Sequence, residues 1–534
     1  MKERKLGKYA IAATVGASLL FQQIQNVHAE TTSQYSVPPK HELRAAWIAS
    51  VTNIDWPSAT GLSEMQQKSE FIKLLDDVEK MGMNSVVVQI KPTADAFYPS
   101  EYGPWSKYLT GTQGKDPGYD PLAFMVEEAH KRNIEFHAWF NPYRITMPRT
   151  APGDATLDDL NTLSENHPAR KHPEWVLPYG KQLYFDPGNP DARQFIIDGI
   201  MEVVKKYDID AVHLDDYFYP YRIAGQEFPD QASYDKYGKQ KFTNIDDWRR
   251  DNVDQFVKLL HNSIKKEKSY VKFGISPFGV WRNIAKDPTG SNTTAGQTNY
   301  DDLFADTREW INKEYIDYIT PQIYWNIGFE AAAYDVLAKW WTNEVKGKNV
   351  DLYIGQADYK INANNEAWAL PDELPNQIAL NRTIPEIKGS MHFSIKDLNR
   401  NPLGIKDRLS KDLYRTKALI PSMPWLDDQA PKKPKFENAL RTKDGIQLTL
   451  NTHPNDQDVS YYVVYRFDGL HKDSIDDPRN ILTTVRKSEN GKTTTYLDTT
   501  ANIDKDYTYE ITAVDRLHNE SKVSNQIKVK ASKK

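Results

Sequence analysis

Eight apolar runs of strand length, each followed by a helical pattern, constrain the fold of this chain more than any other feature. The runs cover 44–51, 85–91, 134–141, 211–216, 271–277, 318–325, 352–358 and 389–395. Strands that alternate with helices are typical of a parallel sheet with crossover helices, and eight such units predict a closed (β/α)8 TIM-type barrel. The helix starts are also legible, because Ser63 with Gln66 forms a capping box and Asp120-Pro121 supplies a cap and a first-turn proline.

The predicted barrel, residues 41–420, is longer than the roughly 250 residues typical of the fold. The surplus falls at 144–190, 217–245 and 280–299, each after a strand and before a helix. These positions are loops of the carboxyl-terminal face, where barrel enzymes keep their active sites. The sequence therefore predicts an α/β barrel with long loops on that face and a shaped cleft between them.

The last hundred residues have a different period. A proline-rich linker at 421–434 leads to short strands in which apolar and polar residues alternate, and this pattern predicts a small all-β sandwich over 435–534. The stretch 509–521, a tyrosine-rich strand that ends in Ala-Val-Asp and a polar turn, resembles the final strands of fibronectin type III domains. A spacer or a wall-binding module is the expected role.

The amino terminus has the composition of a secretory signal. Residues 1–29 combine a basic start, an apolar run too short for a bilayer span and the cleavage site Val27-His28-Ala29, and a polar lead occupies 30–40. A retained anchor is the alternative. The chain has no cysteine and a net charge of −5, and the leader is basic, so the mature protein is acidic and unsuited to nucleic acid. We expect a bacterial secreted or wall-associated monomer without a transmembrane segment after cleavage.

The stretch 210–220 is the strongest candidate for chemistry. Val212 and Leu214 share one face of the predicted fourth strand, and His213 and Asp215 share the other, which would point into the barrel. The same alternation on the other strands directs further polar side chains inward. They are Gln89, Lys91, His137, Trp139, Asn141, Ser276, Gln322, Tyr324, Gln356, Asp358, His392 and Ser394. Barrel interiors built only for stability are rich in Val, Ile and Leu, so these residues indicate a site.

Four motifs carry a resemblance to the bacterial glycosyl hydrolase-like family 10, which includes secreted proteins of bacilli. They are residues 42–47, 89–92 with 95–98, 137–144 and 213–220. The resemblance implies a barrel glycosidase domain that acts on bacterial cell-wall glycan. The fourth strand is also similar to that of the alpha-amylase clan, which implies that Asp215 attacks the anomeric carbon. Unlike many retaining barrel glycosidases, the chain has no glutamate after strand four or on strand seven.

The predicted catalytic residues are Asp215, as nucleophile or principal carboxylate, and Asp216, as the leading acid/base candidate. Asp95 and Asp358 are the other candidates for the second carboxylate. The predicted substrate-binding residues are Lys91, Asp95, His137, Trp139, Asn141, Tyr143, Arg144, His213, Tyr217, Trp281, Gln322, Tyr324, Asp358 and His392. No metal and no cofactor are expected, because the three inward-facing histidines, His137, His213 and His392, lack the HExxH spacing of a zinc site.

Structural alternatives exist for several of these residues. Asp215 would be a buried carboxylate paired with Arg144 or Lys91, Asp216 would cap its loop, and aromatic residues such as Trp281 would pack their loops rather than stack on sugars. At the level of function, the leading hypothesis is a secreted glycoside hydrolase that acts on peptidoglycan strands or a related polysaccharide. The alternatives are a noncatalytic glycan-binding protein and a metal-dependent carbohydrate deacetylase or phosphodiesterase.

Overall fold

A computed structural model describes residues 37–451, 459–471, 473–488 and 493–532. The predicted signal peptide at 1–29 lies outside these residues. Residues Pro39–Lys534 belong to one compact unit. Among the residues that the structure describes, no helix combines the length and the apolarity needed for a membrane span.

Eight parallel strands close into a barrel, which confirms the predicted fold. The strands are β1 (Leu43–Ile48), β2 (Ser85–Lys91), β3 (Glu135–Phe140), β4 (Ala211–Leu214), β5 (Lys272–Ile275), β6 (Tyr318–Ile319), β7 (Asp351–Gln356) and β8 (Ile387–His392). Each strand pairs with its neighbours in chain order, and β8 pairs with β1. Several strands end earlier than predicted, because the chain leaves the sheet at the carboxyl-terminal face to form the loops that carry polar side chains.

A helix follows each barrel strand. The helices are α1 (Glu64–Lys80), α2 (Pro121–Lys131), α3 (Pro190–Lys206), α4 (Ile245–Glu267), α5 (Thr307–Asn312), α6 (Tyr334–Val345), α7 (Glu373–Arg382) and α8 (Ile405–Arg408). The capping box of Ser63 and Gln66 is present at α1, and Asp120 caps α2 ahead of Pro121, as predicted.

Shorter elements build the connecting loops. A hairpin of strands Val176–Tyr179 and Gln182–Phe185 lies in the loop between β3 and α3, and the sequence reasoning missed it. The short helices are Lys107–Thr110, Pro168–Lys171, Gln231–Ser233, Asn299–Asp302 and Ile395–Asn399. Single turns of other helix types cover Val51–Asn53, Leu157–Thr162, Pro173–Trp175, Tyr234–Gly238, Asp358–Lys360, Pro402–Gly404, Leu409–Leu413 and Pro478–Asn480.

Large rings fill the barrel interior. Trp47, Trp139, Tyr318 and Tyr353 pack there in one apolar cluster. Gly274 of β5 leaves the space for Tyr318, since a Cβ at this glycine would lie 2.1 Å from the tyrosine ring. The barrel is therefore a packed core below the carboxyl-terminal face and not a pore.

The carboxyl-terminal part forms two antiparallel sheets, as the all-β prediction requires. The strands are β9 (Lys435–Thr442), β10 (Gly445–Asn451), β11 (Tyr461–Asp468), β12 (Ile481–Arg486), β13 (Thr494–Asp498), β14 (Tyr507–Val514) and β15 (Ile527–Val529). One sheet has the order β9-β10-β13, and the other has the order β12-β11-β14-β15. The closer resemblance to fibronectin type III domains stays a prediction.

The sandwich packs against the amino-terminal end of the barrel. Tyr462 and Val464 of β11 face the core between the sheets, whereas Tyr461, Val463 and Tyr465 pack on the other side with Leu419. Both faces of β11 are therefore covered, which explains why the run 461–465 is apolar at every position.

A buried ionic cluster joins the two parts. Glu135 opens β3, where it accepts from Lys272 Nζ at 2.5 Å and lies 2.6 Å from His518 Nε2 of the sandwich. Burial alone would raise the pKa of Glu135, but the charges of Lys272 and His518 hold it well below its ordinary value. Arg516 adds an ion pair with Asp208 at 2.5 Å. The sandwich is thus fastened to the base of the barrel, opposite the candidate site.

Candidate active site

Two adjacent aspartates follow the carboxyl end of β4. The strand ends at Leu214, so Asp215 and Asp216 belong to the turn that follows, and the Asp216 N–H donates to Asp215 Oδ1 at 2.9 Å. Strand alternation, which turns consecutive side chains to opposite faces, does not apply to these two residues, because the chain has already left the sheet.

Asp215 is held by donors from three different loops. Asn141 Nδ2, which follows β3, donates to Oδ2 at 3.0 Å. Gln322 Nε2, which follows β6, donates to Oδ1 at 3.1 Å, beside the backbone N–H of Asp216. In the described structure neither Arg144 nor Lys91 pairs with this carboxylate, so the buried ion pair considered as an alternative does not form there. Amide donors instead stabilise its negative charge.

A second layer of hydrogen bonds fixes the orientation of Asn141. Gln89 Oε1 accepts the backbone N–H groups of Ser50 and Val51 at 3.0 and 2.9 Å. Gln89 Nε2 must then face Asn141, and it donates to Asn141 Oδ1 at 2.6 Å. The Asn141 amide nitrogen is left to point at Asp215. The predicted inward direction of Gln89 and Asn141 therefore has a specific consequence for the site.

Asp216 has the surroundings of a proton donor. The residue is 3% exposed, its Oδ2 accepts from the hydroxyl of Tyr221, and its Oδ1 is buried without a hydrogen-bond partner. Burial, followed by the charge of Asp215, raises the pKa of Asp216 well above its ordinary value. A buried carboxyl group with a raised pKa thus lies beside Asp215, and such a group is suited to donate a proton.

Partly exposed aromatic rings from five loops surround the carboxylates. Tyr217 and Tyr221 lie 5.5 Å apart between ring centroids, Tyr221 and Phe278 lie 6.3 Å apart, and Phe278 and Trp325 lie 5.5 Å apart. The rim continues in a second group of mutually contacting rings. This group consists of Tyr324, Tyr359 and Phe393. Such rings cover the C–H faces of sugars well, and Tyr359 is 46% exposed.

Apart from the aromatic rim, a groove of about 480 Å³ opens between the loop after β2 and the loop after β3. Asp95 lies in its wall, where it accepts from Thr93 at 2.8 Å and Gln113 at 3.2 Å, and burial raises its pKa. The groove also has basic residues in its lining. They are Lys107, Arg149 and Lys181.

Arg144 lies between this groove and the aspartates. Its Nε donates to the carbonyl of Pro92 at 2.8 Å, and its guanidinium lies 5.2 Å from the centroid of the Tyr217 ring. The residue is only 7% exposed, yet it forms no ion pair with any residue that the structure describes. A buried cation without a partner is costly, so the site favours an anionic group on its ligand.

Two other predicted substrate-binding residues, Lys91 and Tyr143, have protein contacts instead. A register shift after Gln89 turns Lys91 away from Asp215, and its Nζ donates to the carbonyl of Tyr102 at 3.3 Å. Burial lowers the pKa of Lys91 to about 8. Tyr143 is fully buried against Phe256, with ring centroids 5.4 Å apart. The strand alternation failed at Lys91 because of this irregularity in the pairing of β2 with β3.

The contacts of Trp281 and Trp139 are also internal. Trp281 stacks on Trp340 and donates to Asp306 at 3.2 Å, so it packs its own loop, as the structural alternative held. Trp139 points inward as predicted, but it packs in the apolar cluster of the barrel and is 4% exposed. Direct sugar contact by either ring has no support in this geometry.

The three histidines have protein partners at both ring nitrogens. His137 and His213 share the hydroxyl of Tyr318, each at 3.0 Å, and their other nitrogens lie beside Glu135 and Ser276. These contacts hold the two rings inside the barrel, and their contact with substrate stays a prediction.

His392 pairs with Asp358 at 3.0 Å and with Tyr414 at 2.9 Å. Burial raises the pKa of Asp358 despite the nearby histidine, and both residues are at most 1% exposed. This pair is buried below the site and is not exposed to it. Within the described ranges, no group of three or more His, Asp and Glu side chains is placed to hold a metal ion.

Four of the seven rings in the aromatic rim were not predicted from the sequence. Phe278, Trp325 and Tyr359 lie one or two residues beyond the last predicted inward position of their strands. Phe393 lies between the predicted inward residues His392 and Ser394, after β8 has ended. The sequence feature that could have identified these four rings is their position, since each follows a barrel strand at the carboxyl-terminal face. Tyr324 was found, and its phenol lies close enough to Asp215 for that charge, after burial, to raise its pKa well above the ordinary value.

Comparison with known proteins agrees with this geometry. The sequence profile described as "Glycosyl hydrolase-like 10" matches residues 42–370. "Glycosyl hydrolase YngK" of Bacillus subtilis (strain 168) is 65% identical over 489 residues, which are 91% of this chain and 93% of that protein. "Glycosyl hydrolase DigH" of Escherichia coli (strain K12) is 41% identical over 387 residues, which are 69% of this chain and 86% of that protein.

A solved structure is similar at a lower level. The glycoside hydrolase domain of PgaB (BpsB) from Bordetella bronchiseptica has a TM-score of 0.45 and 11% identity, over 71% of this chain and all of that domain. The profile match covers more than half of the chain, and the sequence relatives match over most of their length. The chain therefore belongs to the glycosyl hydrolase-like 10 family.

Proposed function

We propose that the protein is a secreted glycoside hydrolase that cleaves bacterial cell-wall glycan by acid/base catalysis with carboxyl groups. The observation that carries the proposal is the pair formed by Asp216, a buried carboxyl group with a raised pKa, and Asp215, a carboxylate held by three donors. Asp216 would protonate the leaving oxygen, and Asp215 would be the principal carboxylate of the reaction.

Further features support a glycan as the substrate. The aromatic rim offers surfaces for several sugar rings, and both sequence relatives carry the name glycosyl hydrolase. Arg144 suits a glycan with carboxylate substituents, and the muramic acid of peptidoglycan carries one. A positive charge would not stabilise an oxocarbenium-like transition state, so the function of Arg144 is to bind a substituent.

Hydrolysis of purified glycan strands tests the proposal. Peptidoglycan is digested before and after removal of its peptides, and the products are identified by mass spectrometry. Wild-type protein should release glycan fragments, and Asp215→Asn and Asp216→Asn should not, while both variants unfold near the wild-type temperature. Release of glycan fragments by both variants at the wild-type rate would overturn the assignment of the two aspartates.

The same assay separates the alternatives. Tight binding of glycan fragments in calorimetry without any product would favour a noncatalytic binding protein. Release of acetate or phosphate, lost on chelation, would favour a metal-dependent deacetylase or phosphodiesterase. Export is tested separately, by fractionating a bacterial culture and finding the mature protein, without residues 1–29, outside the membrane.

A further inference from the structure

The hydrogen bonds of Asp215 are those of an anchor rather than a free nucleophile. Oδ1 accepts from Gln322 and from the backbone of Asp216, and Oδ2 accepts from Asn141. A carboxylate offers about four acceptor positions, so one remains open on Oδ2. Attack on an anomeric carbon requires an oxygen that is not committed to donors on both sides. An open position next to an amide donor suits instead an N–H group of the ligand.

The neighbouring carboxyl group belongs to the same turn as Asp215 and does not lie opposite it. Glycosidases that use two carboxyl groups place them about 5–5.5 Å apart for retention and about 6.5–9.5 Å apart for inversion. Asp215 and Asp216 follow one another in the chain after the end of β4, and the Asp216 N–H donates to Asp215 Oδ1 at 2.9 Å. They therefore approach the substrate from the same side, and a group on the opposite side of the anomeric carbon must come from elsewhere.

The other two carboxylates predicted near the cleft do not supply that group. Asp358 is paired with His392 at 3.0 Å through one oxygen and at 3.2 Å through the other. Asp95 is engaged by Thr93 and Gln113 in the wall of the groove. Both residues are 1% exposed. Within the described residues, neither candidate is free to attack a sugar bound at Asp215.

We infer that the nucleophile belongs to the substrate: the carbonyl oxygen of a 2-acetamido group, oriented by Asp215, attacks the anomeric carbon while Asp216 protonates the leaving oxygen. This inference rests on the proposed function and restricts its substrate at the cleavage position to 2-acetamido sugars. Asp215 accepts the amide N–H, and the rings of Tyr324 and Phe393, 6.4 Å apart, offer an apolar surface for the acetamido methyl group.

The step balances without a cofactor. The C–O bond to the leaving sugar breaks as the bond from the carbonyl oxygen to the anomeric carbon forms, and the proton of Asp216 passes to the leaving oxygen. A five-membered oxazolinium ring results, and its charge is balanced by Asp215. Water then attacks the anomeric carbon and gives its proton to Asp216, and the C–O bond of the ring breaks. Two displacements leave the configuration retained.

Glycan strands with altered amide groups test the inference. Peptide-free strands are de-N-acetylated and re-acylated with acetyl, monofluoroacetyl or trifluoroacetyl groups, and wild-type turnover is measured on each. Fluorine withdraws electrons from the attacking carbonyl oxygen, so kcat should fall by about tenfold or more along the series. A lysozyme that uses a protein carboxylate as its nucleophile serves as the control on the same strands.

Two readouts complete the test. The thiazoline analogue of N-acetylglucosamine should inhibit competitively, and the first product should have the retained anomeric configuration. Inverted product, equal turnover along the acyl series, or a glycosyl-Asp215 adduct trapped in mass spectrometry would overturn the inference and leave the glycosidase assignment intact. Absence of cleavage of any strand would instead refute the proposed function.

Discussion

Asn141 connects the barrel scaffold to Asp215, the proposed principal carboxylate, and its replacement isolates that connection. Asn141→Ala removes the 3.0 Å hydrogen bond to Asp215 and deprives Gln89 Nε2 of its 2.6 Å acceptor. A hydrogen bond to a charged group contributes about 1.5–3 kcal/mol. If that contribution is made in the transition state, the loss lowers kcat by about 10- to 150-fold.

The stability cost of the same change is separable. Gln89 Nε2 is buried and left without an acceptor, which costs about 1–3 kcal/mol. Asn381→Ala is the matched control, because Asn381 is 3% exposed and bonds to Tyr334 at 2.9 Å and Ser390 at 3.3 Å, outside the cleft. It should lose a similar unfolding free energy and keep its kcat.

The assay follows release of glycan fragments from peptide-free strands under saturating substrate, together with urea unfolding of each variant. Gln89→Leu should lower kcat less than Asn141→Ala, since Asn141 keeps its own donor but loses the partner that orients it. Turnover of Asn141→Ala within about twofold of wild type, despite a measured loss of stability, would refute the orienting role of this hydrogen-bond chain.

Three further predictions concern protons and packing. Turnover should fall as pH rises through the raised pKa of Asp216. The folded state holds the proton of Asp216 more tightly than the unfolded state does. The free energy of unfolding should therefore fall as pH rises from the ordinary pKa to the raised one, by 1.36 kcal/mol per unit of pKa difference. Asp216→Asn should remove this pH dependence in urea unfolding. Lys272→Met, which leaves Glu135 buried without its lysine, should cost about 3–5 kcal/mol in unfolding. Gly274→Ala should cost about 3 kcal/mol, because its methyl group would overlap the Tyr318 ring, and calorimetry would show the lowered Tm.

Matched changes elsewhere in the chain control these predictions. Lys68→Met removes an exposed pair with Glu64 and should cost at most about 1 kcal/mol. Gly296→Ala introduces a methyl group with nothing within 4 Å and should leave Tm unchanged. A pH slope of stability that survives Asp216→Asn, or equal costs at Lys272 and Lys68, would contradict the corresponding argument.

The sequence was sufficient for features that depend on local pattern. The barrel strands and the helix caps at Ser63 and Asp120 follow from periodicity and from side chains a few residues apart. Asp215 stood out because a polar position interrupts an apolar strand at the end that faces the active site. Alternation also gave the inward direction of Gln89 and Asn141, since β2 and β3 are regular at those residues.

Tertiary structure decided whatever depends on where strands end and loops meet. Lys91 turns away because the strand pairing shifts after Gln89, and Asp216 joins Asp215 because β4 stops at Leu214. Gln322 reaches Asp215 across 107 residues of sequence. A periodic pattern reports only which side of an element is buried, whereas barrel closure brings distant strand ends together. The sequence alone therefore singled out Asp215, but only the closed barrel determined the residues that surround it.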